Sequence, residues 1–137
     1  MFKHKIEYTD YLGNKREMKV AFNLNAIELI ELQRSTPGGY GELLMRVAES
    51  GDGLEMWAVF EDLVKRGYGE ISEDGVHFLK TDAEGNRLVE NFVNTPAYEA
   101  FMIDLITNPE NLGANFINAL IPKESVDKVK AMMSAAE

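Results

Sequence analysis

In residues 2–9 and 17–22, positions suited to a buried face alternate with polar positions. This period of two is the pattern of strands that bury one face. The positions that share a face are Phe2, His4, Ile6 and Tyr8 in residues 2–9, and Met18, Val20 and Phe22 in residues 17–22. Gly13 and Asn14 lie between the two segments, and these residue types best tolerate positive φ. The pattern therefore predicts an antiparallel hairpin that reverses near these two residues.

The spacing becomes helical after Asn25. Asn25 and Glu28 have the spacing of a capping box, in which each side chain accepts a hydrogen bond from the other residue's backbone. The predicted helix ends at "STPGG", because Pro37 cannot continue it. The apolar face that we expect on this helix carries Ile27, Ile30 and Leu32.

Two further helices are predicted before residue 67. One runs from about Tyr40 to Glu49, and the next begins at Asp52, with Glu55 three residues on. We expect their inward positions to be Leu43, Leu44 and Val47 in the first helix, and Leu54, Trp57, Phe60, Leu63 and Val64 in the second.

The second half of the chain begins with a short hairpin or extended loop near residues 70–80, centred on Asp74 and Gly75. Thr81 and Glu84 have capping-box spacing and predict a helix from that point. Two more helix starts are predicted where a capping residue precedes a proline, at Thr95-Pro96 and Asn108-Pro109.

Residues 123–137 carry few apolar side chains, namely Val126, Val129, Met132 and Met133, in an otherwise polar segment. Helices shorter than about 12 residues are marginal in water when isolated. We therefore predict a single globular domain over residues 1–122 and a short, weakly ordered helical tail over residues 123–137. The fold class is α+β and mainly α-helical, with an N-terminal antiparallel β-hairpin followed by about six helices.

Composition narrows the classes of partner. The chain of 137 residues is 45% hydrophobic and 27% charged, as expected of a globular domain with a core. Its formal net charge of −9 disfavours nucleic acid and anionic membrane, because Lys and Arg supply most of the affinity for both. The absence of cysteine, of a signal peptide and of a long apolar run favours the cytoplasm.

No pattern indicates catalysis, a metal or a cofactor. His4 and His77 lack a second His or Cys at ligand spacing. Asp74-Gly75 resembles the centre of an EF-hand loop, but the twelfth position is Thr81 instead of the required Glu. Ser50 does not lie in a Gly-x-Ser-x-Gly elbow. We therefore expect a protein that is not an enzyme.

Two features favour association with other chains. Methionine adapts to irregular surfaces, and in the sparse tail we expect Met132, Met133 and Val129 to contact a partner. A two-stranded hairpin is marginal alone, so its apolar face needs cover from helices or from another copy. The candidate self-association edge comprises Ile6, Tyr8, Met18 and Val20.

The order of these features resembles the small tail assembly chaperones of long-tailed, siphovirus-type bacteriophages. The resemblance covers about residues 5–122. It rests on the strand pair and helix "KIEYTDYLGNKREMKVAFNLNAIELIEL", the break "STPGG", the segment "GYGEISEDGVHFLKT", the aromatic helix "TPAYEAFMIDLITNP" and the apolar helix "NFINALIP". None of these pieces is a catalytic signature, and the family offers no residue set that can be carried over as a binding site.

The resemblance implies a non-enzymatic chaperone that binds the tape measure protein and keeps it soluble while the tail tube polymerises. It also implies a longer frameshifted product of the same gene as a partner, a location in the host cytoplasm and absence from the mature virion. The expectation of a homo-oligomer rests instead on the marginal stability of an isolated hairpin. One alternative is a structural tail or head-tail connection protein, which would stay in the virion. The other is an unrelated small enzyme or host regulatory domain, which would show a deep polar pocket.

Overall fold

The computed structural model describes residues 1–124, 127 and 131. The strands are β1 Phe2–Thr9, β2 Lys15–Phe22, β3 Tyr68–Ile71 and β4 Phe78–Leu79. The helices are α1 Ala26–Ser35, α2 Tyr40–Ser50, α3 Gly53–Gly67, α4 Leu88–Val93, α5 Pro96–Thr107 and α6 Leu112–Leu120, with a 3₁₀ turn at Pro109–Asn111. The predicted α+β fold class is confirmed, including the short hairpin near residues 70–80.

The four strands form one antiparallel sheet in the order β1-β2-β3-β4. β1 and β2 pair residue for residue, from Phe2 opposite Phe22 to Thr9 opposite Lys15. β3 pairs with the other side of β2 only at Ala21 and Phe22. β1 is therefore an edge strand over its whole length.

The β1–β2 turn is a type I turn followed by a bulge glycine. The Gly13 N–H donates to the Asp10 carbonyl at 3.0 Å, and the Asp10 N–H donates to the Asn14 carbonyl at 2.8 Å. The Asp10 carboxylate also accepts hydrogen bonds from the N–H groups of Leu12 and Asn14. Gly13 has φ 85°, so the predicted reversal at this glycine is correct.

The same turn occurs a second time, at Asp82–Asn86, where the sequence pattern predicts the start of a helix. Asp82 accepts from the N–H groups of Glu84 and Asn86, and Gly85 has φ 86°. The prediction of a capping box at Thr81 and Glu84 is therefore wrong, and α4 begins only at Leu88. The side chain of Asp82 offers the backbone a local alternative to the helix.

At the other helix starts, some of the predicted caps form and one does not. Asn25 and Glu28 form the predicted capping box, with bonds of 2.9 and 3.1 Å. Asp52 caps α3 by accepting from the Leu54 N–H at 2.9 Å. Pro96 is the first residue of α5, but the hydroxyl of Thr95 donates to the Phe92 carbonyl and leaves the helix uncapped.

The core lies between the inner face of the sheet and the helices, and its centre is aromatic. The ring of Phe22 stacks on Phe101 with centroids 5.3 Å apart and meets Phe116 edge-on at 5.2 Å. Two positions that we expected to face inward do not, since Ile27 is 69% exposed and Leu54 is 84% exposed. α1 buries Leu29 beside the expected Leu32, and α3 buries Val59 beside the expected Phe60, Leu63 and Val64.

Candidate functional site

A groove with a mainly apolar lining lies between α2, α3 and α6. Its volume is about 460 Å³. Its apolar lining consists of Leu44, Met45, Ala48, Met56, Ile117 and Ile121, and its polar rim of Glu42, Asn118, Lys123 and Asp127. We call it the α2–α6 groove.

Two helical stripes form the walls of the groove. Positions 41, 44, 45 and 48 of α2 and positions 114, 117, 118 and 121 on and just after α6 line it. Both sets have the i, i+3, i+4, i+7 spacing of a single helix face. In α2 this stripe lies beside the one that carries Tyr40 and Val47 into the core, so the helix has more apolar surface than the core covers.

The exposed methionine in this groove is Met45, whose side chain is 58% exposed. Met56 of α3 is half-buried beneath the same opening. Unbranched thioether side chains adjust to differently shaped partners at low cost. Core packing is the usual role of a helical methionine, but Met45 and Met56 both lie on the groove wall.

The charge of the molecule is divided unevenly between the hairpin and the rest. Residues 1–22 contain five Lys and Arg against three Asp and Glu, a net charge of +2. Because the whole chain has a net charge of −9, residues 23–137 have a net charge of −11. The groove lies in the acidic part, with Glu42 and Asp127 on its rim.

The residues of the candidate self-association edge lie together on the inner face of the hairpin. Ile6 and Val20 are only 3% and 4% exposed and belong to the core, while Tyr8 and Met18 are half-buried against it. Their side chains are thus covered by helices of the same chain. What β1 leaves open is its backbone edge and the outward side chains of Lys3, Lys5, Glu7 and Thr9.

The proposed tail contacts Met132, Met133 and Val129 lie outside the described residues. Lys123 and Asp127, which belong to the same predicted tail, are described and line the groove. The remaining prediction about the tail, that it is weakly ordered, likewise concerns residues that are mostly outside the described part.

The shifted ionisable groups have structural causes. Burial raises the pKa of Tyr40, Tyr68 and Tyr98, and for Tyr40 the nearby Asp62 adds to the effect. The Arg16 guanidinium and the turn amides lower the pKa of Asp10. The Ser72 hydroxyl and the Val76 N–H lower the pKa of Asp74 in the same way. None of these groups lines the groove.

Neither histidine lies in an arrangement that indicates catalysis or metal binding. His4 lies in β1 and stacks on Phe2 at 5.9 Å, while His77 is exposed in a turn. Among the described residues, no three His, Cys, Asp or Glu side chains are placed to hold a metal ion. No helix in this part of the chain has the length and apolar character needed to cross a membrane.

Sequence reasoning did not predict the groove, and it gave no partner-binding role to Ala48, Ile117 or Ile121. The signal that would have found it was present, since α2 carries two adjacent apolar stripes where one suffices for a surface helix. The second stripe includes Gly41 and Ala48, small residues that attract little notice in an apolar pattern.

Comparison with known families gives a match over the whole chain. The family described as "Phage tail assembly chaperone" matches residues 1–137. Searches of curated proteins and of solved structures found no significant match. The family match agrees with the order of strands, breaks and helices described above, and with the resemblance on which the expectation of this family rested. The chain therefore belongs to the phage tail assembly chaperones.

Proposed function

We propose that this chain binds the tape measure protein through the α2–α6 groove and keeps it soluble while the tail tube polymerises. The observation that carries the proposal is the apolar groove between paired helical stripes in a member of this chaperone family. Tail assembly needs a long apolar helical protein to stay in solution until tube subunits surround it.

The shape of the groove suits the apolar face of a helix. An amphipathic helix presents anchor residues at i, i+3, i+4 and i+7, and grooves that accept it are themselves walled by helices. A volume of about 460 Å³ lies within the range of formed binding pockets. It accepts a few anchor side chains at a time, which suits reversible binding along a long partner.

The charge of the acidic part selects among apolar helices. Residues 23–137 carry a net charge of −11, so a helix whose polar face is basic gains from attraction at long range. Acidic amphipathic helices are disfavoured by the same field. The proposed ligand is thus a helical segment of the tape measure protein with Lys or Arg beside its apolar face.

Co-expression with the tape measure protein of the same phage tests this proposal. We expect the full chain to raise the soluble fraction of the tape measure protein, and Met45→Glu to abolish that effect, since burying a carboxylate against the apolar face of a bound helix is costly. Ile27→Glu is the matched control, because Ile27 is 69% exposed on α1, outside the groove lining.

Two results would overturn the proposal. One is a tape measure protein that is equally insoluble with and without the chain. The other is equal solubilisation by the wild type and by a Met45→Glu protein whose circular dichroism spectrum is native, which would exclude the groove as the site.

The structural alternative is a tail or head-tail connection protein that stays in the virion. Family membership favours a non-structural role. We therefore expect the chain in the host cytoplasm and not in the mature particle, together with a longer frameshifted product that shares its fold. Mass spectrometry of purified virions decides between the two, because a connection protein would be present at fixed stoichiometry.

A further inference from the structure

The open edge of β1 is unusual for an edge strand. β1 pairs with β2 over all eight of its residues without a bulge, and it contains no proline. Natural edge strands are commonly short, bulged, interrupted by proline or charged, because an open edge recruits other strands. This edge carries only the charges, and because Lys3, Lys5 and Glu7 are of both signs, they oppose some pairing registers and favour others.

The hydrogen bonds of the turn fix which backbone groups face the open side. Backbone groups in an antiparallel pair point alternately toward the partner strand and away from it. The Asp10 N–H donates to Asn14, so Asp10 faces the β2 side. Counting back along β1, the residues whose N–H and carbonyl groups face the open edge are Lys3, Lys5, Glu7 and Thr9.

The side chains of these same four residues form the outer face of β1. Two copies of this strand can pair antiparallel in several registers, which differ in the charges they bring together. With Lys5 opposite Glu7 of the second copy, both symmetry-related pairs attract and Lys3 lies opposite Thr9. A shift of two residues in one direction opposes Lys5 to Lys5, and in the other Glu7 to Glu7.

Inside the hairpin, the charges of these residues are matched badly. Lys5 lies directly opposite Lys19, and Glu7 lies directly opposite Glu17. Like charges at directly opposed positions destabilise a strand pair. Only the diagonal ion pair between Lys5 and Glu17, at 3.5 Å, offsets this arrangement. β1 is therefore better complemented in charge by a second copy of itself than by its own partner strand.

We propose that β1 pairs antiparallel with β1 of a second copy of this chain, with Lys5 opposite Glu7. The pairing joins two four-stranded sheets into one of eight strands, with about eight new backbone hydrogen bonds across the two-fold axis. It also sets Tyr8 opposite His4 of the second copy on the inner face. The partner is held by the backbone, and the register is set by the charges.

The ends of the strand agree with this register. It places Tyr11 of one copy opposite Met1 of the other, at the hairpin tip, where Tyr11 and Leu12 are 84% and 85% exposed. At the N-terminal end of β1 in each copy lies a cleft of about 460 Å³, whose lining includes Phe2, His4, Pro109 and Leu112. The exposed tip of one copy thus lies near an open cleft of the other.

Charge exchange across the axis is the test. Lys5→Glu opposes two carboxylates across the axis and Glu7→Lys opposes two ammonium groups, while each change improves the directly opposed pair within the hairpin. We expect each single variant to weaken the dimer about ten-fold in sedimentation equilibrium, and the Lys5→Glu, Glu7→Lys double variant to restore it. Lys19→Glu on β2 is the matched control, because it changes the same face away from the edge.

Hydrogen exchange reads the backbone directly. The amides of Lys3, Lys5, Glu7 and Thr9 should become protected as protein concentration rises through the dissociation constant. A strict monomer at high concentration would overturn the proposal, as would a dimer in which these amides stay unprotected or the double variant stays as weak as the single ones. Met45→Glu should leave the dimer intact, so this test is independent of tape measure binding.

Discussion

Gly113, the second residue of α6, is a position where one added methyl group should be costly. Gly113 is buried, and a Cβ built on it would meet the carbonyl oxygen of Leu105, which is backbone and cannot move aside. The same Cβ would lie 3.0 Å from the ring of Phe60 and 3.2 Å from the side-chain oxygen of Asn108. Phe60 and Leu105 are themselves buried, so neither can yield without disturbing the core.

The expected effect of Gly113→Ala combines two opposing terms. Overpacking of a dense core costs roughly 1 to 3 kcal/mol, and a backbone neighbour argues for the upper end. Alanine in place of glycine within a helix returns up to about 1 kcal/mol. The free energy of unfolding should therefore fall by about 2 kcal/mol, which for a domain of this size lowers Tm by about 6 °C.

Gly53→Ala is the matched control. Gly53 is the first residue of α3, and no heavy atom lies within 4 Å of a Cβ built there. We expect this variant to be as stable as the wild type or up to about 1 kcal/mol more stable. Urea unfolding followed by circular dichroism measures both. If Gly113→Ala unfolds at the same urea concentration as Gly53→Ala, the close packing of α6 against α5 is refuted.

Three further predictions concern single side chains. Lys80→Met should lower the free energy of unfolding by about 2 kcal/mol, since the Lys80 ammonium bonds both Glu28 at the start of α1 and the Arg66 carbonyl near the end of α3; a double-mutant cycle with Glu28→Gln that shows no coupling would contradict it. Tyr40→Phe should leave that free energy unchanged or raise it by up to about 1 kcal/mol in thermal unfolding, because among the described residues the buried hydroxyl has no well-formed hydrogen bond and the Asp62 carboxylate only lies nearby; a clear loss would show that Asp62 accepts a hydrogen bond from this hydroxyl. Asp10 has a lowered pKa in the fold, so its contribution to stability is complete above the ordinary aspartate pKa of about 3.9 and is lost as pH falls through the lower folded value. Asp10→Asn should thus flatten the acid limb of a stability profile below about pH 4, and an unchanged acid limb would count against this linkage.

Much of the fold follows from local sequence rules. Sequence patterns that span only a few positions predict the hairpin, the capping box at Asn25 and the number of helices. These patterns are the alternation of apolar and polar residues, capping residues and prolines. The error at Thr81 shows the limit of such rules. "DAEGN" repeats the Asp-x-x-Gly-Asn of the first turn, "DYLGN", yet the spacing of Thr81 and Glu84 also satisfies a capping box. Two local rules competed, and the glycine at positive φ decided between them.

Tertiary packing accounts for the remaining differences. Ile27 and Leu54 have the right spacing for an inward face, but α1 and α3 rotate them outward because other residues fit the core better. The helix predicted from Pro109 begins only at Leu112, after Asn108, Glu110 and Asn111 adopt positive φ. Here the close approach at Gly113 fixes the position of α6 against α5, and no short sequence rule contains that distance.

The two association surfaces also differ in how far sequence could reveal them. The sequence predicts association through the hairpin because a two-stranded unit needs cover. Of the side chains named for that edge, Ile6 and Val20 lie in the chain's own core. The groove depends on which face of α2 lies beside α6. That arrangement needs the three-dimensional fold, because residues 44 and 117 are far apart in sequence.

α6 separates these two surfaces and so makes them compatible. Leu112 and Asn115 face the cleft beside β1, whereas Ala114, Ile117 and Asn118 line the α2–α6 groove. A dimer joined through β1 would therefore leave both of its grooves open. A long helical partner that reaches both grooves would bind with a higher overall affinity than either groove provides alone. Each groove can therefore bind weakly, and each contact can still dissociate by itself. The proposed function requires reversible capture of this kind, because under it the bound segment must be released as the tail tube grows.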